Sequence, residues 1–352
     1  MGRVRGALLR HQRVVRMSLL ALCVVVVGAQ LRWVVFGGPT TFESLCAAIE
    51  KKRSYVELRG TVVLRGNLPA IAHSMTIAGK SKSARIKSDF RGKFRLFVVR
   101  GAGVTLVLKD MELSGGQAAK KSSKEAKKMP MLADGGSVLV YGGASVELHN
   151  VFFNHSKAAN GAAIAAHDAS SVTVRNCRFL NNAAWNTGGA IYLTNRSTVW
   201  TWSSSFERNK GSVKGGAVHA NQGSFYRSVG CIYRRNAVKE EGGGGWVVGG
   251  EGTMAESIDD LFFENKAQYP SAKGGGVIVK HKGKLYVSNS RFVGNKVPTD
   301  VGNSIWLEPG GALGLLEGTP EAVVEWPDDV PGPTFARNSA DVQLPSKGFM
   351  GR

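Results

Sequence analysis

Apolar and polar positions recur along this chain with a period near 27 residues. One signature is glycine, a small residue and an aliphatic, as in Gly135-Gly136-Ser137-Val138, Gly161-Ala162-Ala163-Ile164, Gly188-Gly189-Ala190-Ile191, Gly215-Gly216-Ala217-Val218 and Gly274-Gly275-Gly276-Val277. The other is an aromatic with Asn three residues on: Phe179/Asn182, Phe206/Asn209, Tyr233/Asn236, Phe262/Asn265, Phe292/Asn295 and Phe335/Asn338. Successive aromatics from Phe153 to Phe292 are spaced 26, 27, 27, 29 and 30 residues apart. Eight residues after each aliphatic comes a period-2 pair such as Val172/Val174 or Val199/Thr201. Strands this short cannot bury an apolar face alone, and stacking the units buries it. The pattern therefore predicts coils whose strands pair with their equivalents one coil along, about 4.8 Å away. Phe then stacks on Phe inside, and Asn182, Asn209, Asn236, Asn265, Asn295 and Asn338 form a ladder at a turn.

Before the repeats, Tyr55–Ile77 and Val104–Leu113 also alternate in strand fashion, with Asp110 and Leu113 at the coil spacing. Thr40 with Glu43 suggests a capping box for a helix within 40–53, whose Phe42, Leu45, Cys46 and Ile49 share one face. Such a helix would block the open end of the stack, where strand edges lie unpaired. The β-region extends over 54–345, interrupted by a Lys-rich inserted loop at 117–129 and a C-terminal excursion at 309–333.

The Gly-Gly-Ala-Ile and Phe-x-x-Asn pair resembles the repeats of the polymorphic outer membrane proteins and, more broadly, the right-handed parallel β-helix proteins with the pectin-lyase-like fold. The likeness covers 135–338 well and 55–134 by pattern. It implies an all-β fold, a single-stranded right-handed parallel β-helix (β-solenoid) of about eight to ten coils with a short N-terminal capping helix. It also implies a surface or adhesion role. Those bacterial repeats precede a membrane β-barrel, a segment not expected from this sequence, and the first copy here has Ser156 or His155 where the ladder expects Asn.

Composition agrees with an ordered, turn-rich chain: 45 of 352 residues are Gly and only 11 are Pro. Charge changes the picture more. Of the net +20, residues 1–50 carry +4 (six Arg, two Glu) and residues 51–128 carry +14 (19 basic, five acidic), which leaves +2 for 129–352. A basic patch of Lys80, Lys82, Arg85, Lys87, Arg91, Lys93 and Arg95 is expected on an exposed face. Its expected partner is an acidic polysaccharide or an anionic membrane surface, not nucleic acid, bound by a monomer.

Five Arg precede an apolar run from Met17 to Ala29, with no acid before Glu43. Residues 1–36 therefore read as a signal peptide, or as a signal anchor if the apolar segment runs on through 17–36 as a spanning helix. The remainder is expected in the secretory pathway and at the cell surface or outside, where Asn154 and Asn195 would be glycosylation sites in a eukaryote. Cys177 and Cys231 lie 54 residues apart, two coils of 27, so they share a column beyond disulfide reach and are expected as free buried thiols.

Candidate chemistry follows from stacking. Tyr192, His219, Trp246 and Trp306 fall in one outward column, flanked by Thr194 and Asn221, and aromatics beside hydrogen-bonding groups suit a sugar chain. A purely structural aromatic ladder is the alternative. If the protein is an enzyme, a polysaccharide lyase or epimerase, Tyr192 and His219 with His167 and Lys280 are the expected acid–base set. No convergent carboxylates appear on the repeat strands, so no metal and no cofactor is expected. The leading expectation is a non-catalytic binding protein, with a structural surface spacer as a further alternative.

Overall fold

The computed structural model describes residues 24–27, 30–33, 39–89, 94–119, 122–299 and 302–315. They build a parallel β-solenoid of about nine turns. The helix α1 (Phe42–Glu50) packs Leu45 and Ile49 onto the first coil. Its N-cap is Thr41, whose hydroxyl accepts from Ser44 N while Ser44 Oγ accepts from Thr41 N, so the reciprocal cap lies one residue later than Thr40/Glu43. Thr40 instead ties the helix to the first coil, accepting from Arg59 N and donating to Glu57 O.

Each coil contributes to three sheets. The coil around Tyr192 is representative: Ile191–Leu193 lies in sheet I, Thr198–Trp202 and then Ser205–Glu207 in a bent sheet II, and Lys210–Gly211 in sheet III. Sheet I has eight parallel strands, from Phe97–Arg100 to Ile305–Leu307, and sheet III has five. Within sheet II the corner residue is left-handed in every repeat coil: Asn150, Asn176, Ser203, Asp259 and Asn289 all have φ between 45° and 55°. The next corner takes His155, Asn181, Arg208, Arg235 and Glu264 with φ of 52° to 55°. Non-glycine residues there cost roughly 1–2 kcal/mol each, so something must hold them.

The ladder that follows each corner does so. Asn209 Oδ1 accepts from both the backbone N (3.1 Å) and Nδ2 (2.9 Å) of Asn182, and its own Nδ2 donates to Phe179 O (3.0 Å) and Asn236 Oδ1 (3.0 Å). The same bonds run through Asn236, Asn265 and Asn295, and Ser156 fills the first place. Asn338 lies outside the described residues. Inside, Phe153, Phe179, Phe206, Tyr233, Phe262 and Phe292 stack with centroids 4.5 to 4.8 Å apart. A neighbouring column runs Cys177, Ser204, Cys231, Asp260, Ser290, each accepting from the backbone N of the coil before. Both cysteines are free and buried, their thiols pushed up to about 12 and 11 by burial.

The signature glycines are set by close approach: a Cβ on Gly189 would stand 2.6 Å from Lys210 backbone atoms. Two segments differ from expectation. Residues 124–128 of the inserted loop are helical, and Ala312–Leu315, expected in an excursion, pairs with Lys284–Val287 and begins another coil. In the N-terminal segment Val24–Val27 pairs antiparallel with Gln30–Trp33, as consecutive β-branched residues favour the extended state. Among the described residues no helix is long and apolar enough to cross a membrane.

Candidate functional site

The outward column of sheet I is fixed by register as Leu139, Ala165, Tyr192, His219, Val247, Ile278 and Trp306. Trp246 does not belong to it. Trp246 pairs with Val218 and Val277 on the inward side and packs edge-on against Tyr226, Tyr233 and Phe262. Gly245 precedes it where Ala217 stands one coil earlier, and a Cβ at Gly245 would stand 2.6 Å from Gly276 O and 3.0 Å from the Phe262 ring against which the indole packs. In the flanking column Asn221 aligns with Gly249 and Lys280, so Val248 too faces inward.

Outward in register does not mean open to solvent. His167, Thr194, His219, Ile278 and Lys280 are all buried, and Tyr192 and Trp306 are half-buried. Residues just before each signature glycine fold over the sheet and enclose a polar cluster. Asp134 accepts from Asn160 Nδ2 (2.8 Å) and approaches His167 Nε2 at 3.2 Å, and Asn160 accepts from Asn186 (2.8 Å). Thr187 donates its hydroxyl to Lys214 O (2.9 Å), so it accepts from Nδ1–H of His219. That contact fixes the neutral tautomer and leaves Nε2 as the lone-pair nitrogen. Burial, with the Lys214 and Lys280 cations nearby, pushes His219 down to about 3. Both lysines share Glu241, at 3.2 and 2.7 Å, which holds its carboxyl below the usual range against the opposing effect of burial.

The Tyr192 ring sits between His167 and His219, with centroids 5.7 and 5.5 Å away. Burial raises its phenol, which interacts with Thr194 and Asn221. Thr194 donates to Gln222 Oε1 (2.6 Å), and Asn221 Oδ1 accepts from Gln222 N (2.8 Å). Of the four expected acid–base residues, His167, Tyr192 and His219 are neighbours, and Lys280 stands two coils beyond His219, on Glu241. A neutral imidazole beside a phenol can exchange a proton, and here His219 is only 6% exposed beneath the residues that cover it. Sequence reasoning missed Asp134, Thr187, Lys214 and Glu241. The signal was there: Asp134, Thr187 and Lys214 each immediately precede a signature glycine. Among the described residues no group of three or more His, Cys, Asp or Glu could hold a metal ion.

A model of the right-handed beta helix region matches residues 123–313, more than half of the chain. The chain belongs to the right-handed β-helix family. No curated protein and no solved structure matches it.

On this β-helix, Lys80, Lys82 and Arg85 are exposed and Lys87 is half-buried, with Lys80 bound to Glu57 (3.1 Å) and Arg85 to Glu112 (2.6 Å). Arg95 corrects the expected patch: its guanidinium turns in, donating to the carbonyls of Leu132 (2.5 Å), Asp134 (2.8 Å) and Gly135 (2.8 Å). It clamps the end of the inserted loop to the β-helix, and burial brings it to about 10. Arg91 and Lys93 lie outside the described residues. Asn195 sits at an exposed turn, donating to Asp168 (3.1 Å), whereas Asn154 has a sealed, unpartnered Oδ1. Sheet II carries outward aromatics that the sequence reading passed over: exposed Trp200, and half-buried Trp202 beneath the Arg175 guanidinium at 4.1 Å.

Proposed function

We propose that this β-helix is an exported, non-catalytic surface or extracellular protein that binds an acidic polysaccharide. The observation that carries the reading is the charge: +20 overall, with +14 held in residues 51–128. A field of that sign attracts polyanions over a range set by salt. The outward Trp200/Trp202 pair with Arg175 supports it, because an exposed indole face such as that of Trp200 stacks on sugar rings while a guanidinium takes their acid groups. The expected ligand contacts at Tyr192, His219, Thr194 and Asn221 are less apt in this reading, since most of that column is covered. A monomer secreted or anchored through residues 17–36, and glycosylated at Asn195 in a eukaryote, is part of the same proposal.

A second reading, a polysaccharide lyase or epimerase, rests on the adjacency of His167, Tyr192 and His219, with Lys280 two coils further along. Binding of the full chain to neutral, uronic and sulfated glycans, with reaction products monitored alongside, separates the readings. Salt-sensitive binding to acidic glycans without product supports the binder. Product formation that Tyr192→Phe abolishes would replace it with the enzyme, and no binding at all would leave a structural spacer.

A further inference from the structure

Charge that is dispersed in the sequence becomes a line in the fold. The first position of sheet III is occupied, coil by coil, by Lys157, Ala183, Lys210, Ala237, Lys266 and Lys296. The four lysines are exposed, and none makes an ion pair among the described residues. From Lys157 to Lys210 and from Lys210 to Lys266 are two coils each, roughly 10 Å. Lys266 and Lys296 are direct neighbours on adjacent coils. Like charges so placed repel one another in the free protein, and an anion laid across them removes that cost.

Two further features belong to this face. Trp185, 44% exposed, projects from the strand whose Ala183 pairs with Lys210. An open groove of about 480 Å³ lies at the far end, lined by Arg235, Phe263, Glu264, Lys266, Gly294 and Lys296. Its one carboxylate, Glu264, is taken by Arg235. The groove thus offers two unpaired ammonium groups beside an aromatic ring.

We infer that sheet III is a binding face for a linear anionic polysaccharide lying along the solenoid axis. Lys157, Lys210, Lys266 and Lys296 take its acid groups, and Trp185 stacks on a sugar ring between them. The inference rests on the polysaccharide-binding reading and adds a location that the basic first third does not supply. The two-coil step selects a straight polyanion, of which every second ring turns an acid group to the lysines, over a compact anion. The lysine–alanine alternation leaves room for the intervening rings.

The test uses the full chain, with heparin and polygalacturonate as probes and neutral dextran as the blank, at about 50 mM salt, where screening is weak. The triple variant Lys210→Glu/Lys266→Glu/Lys296→Glu is expected to lose about tenfold or more in affinity, the effect of three exposed ion pairs. Trp185→Ala is expected to lose roughly two- to tenfold. Protection of Lys210, Lys266 and Lys296 from acylation by bound polysaccharide provides a readout on the wild-type chain that needs no variant to fold. Unchanged affinity in the triple variant, or equal acylation with and without polysaccharide, overturns the inference. If at the same time Lys80→Glu/Lys82→Glu/Lys87→Glu abolishes binding, the function stands and only its location moves. A wild-type chain that binds neither probe removes both.

Discussion

Asn209→Ala probes the force that holds the coils in register. Four hydrogen bonds end on this side chain, and its removal leaves one backbone group without a partner: the N–H of Asn182, which bonds to Asn209 Oδ1 at 3.1 Å, while the carbonyl of Phe179, which accepts from Nδ2 at 3.0 Å, keeps its place in the parallel ladder with Ser205–Glu207. Asn182 Nδ2 keeps Phe153 O at 3.3 Å, and Asn236 Oδ1 keeps the backbone N of residue 209. One buried orphan gives a loss of roughly 1–3 kcal/mol. The left-handed corner at Arg208, φ 52°, loses its clamp as well. Urea unfolding followed by tryptophan fluorescence reads the global effect, and hydrogen exchange at the Asn182 amide reads the local one. Ser83→Ala, at an exposed turn where the hydroxyl meets Ser81 Oγ at 2.8 Å, is expected within about 0.5 kcal/mol of wild type. If Asn209→Ala also falls within that limit and Asn182 exchange does not change, the ladder is not what fixes the corner.

Other substitutions test the remaining parts of the account. Gly189→Ala forces a methyl into backbone and is expected to cost about 3 kcal/mol, against roughly 1–2 kcal/mol for Gly103→Ala, which meets only its left-handed φ; paired urea curves decide. Asp260 is buried and pushed up to about 7 from 3.8, so its folded form binds the proton more tightly than the unfolded one. Its contribution is therefore most favourable below about pH 4 and is lost as pH rises through 7, and Asp260→Asn should stabilise at pH 8 but not at pH 4. His219 runs the other way: with 6.5 lowered to about 3, its stabilisation is present above pH 6.5 and lost as pH falls toward 3, so His219→Gln should flatten the acid limb of the stability curve. Cys177 and Cys231 should resist a thiol reagent until the chain unfolds; rapid labelling of either in native buffer would contradict their burial.

The period, the Phe stack and the Asn ladder were legible because each repeats one residue type at one position, and stacking is the only use such repetition has. Trp246 was misplaced because Gly242–Gly245 is a run of four glycines, which erases the anchor from which register is counted. A one-residue slip then turns an interior indole into a surface one. Covering of the sheet I column could not be read from alternation: a strand pattern tells which side a residue faces, not whether another segment lies over that side. Arg95 was misassigned for the same reason, since its partners are carbonyls 37 to 40 residues away. The sheet III lysines escaped notice because each is an isolated residue in a region of net charge near zero, and only the coil repeat brings them into line.

The most direct test of the proposed function is the salt dependence of binding of the full chain to one acidic polysaccharide. Titration with polygalacturonate from about 50 to 500 mM salt, over which the screening length shortens severalfold, should show affinity falling by at least about tenfold, with dextran silent throughout and no product formed. Binding that holds constant across that range, or none at the lowest salt, would contradict the account.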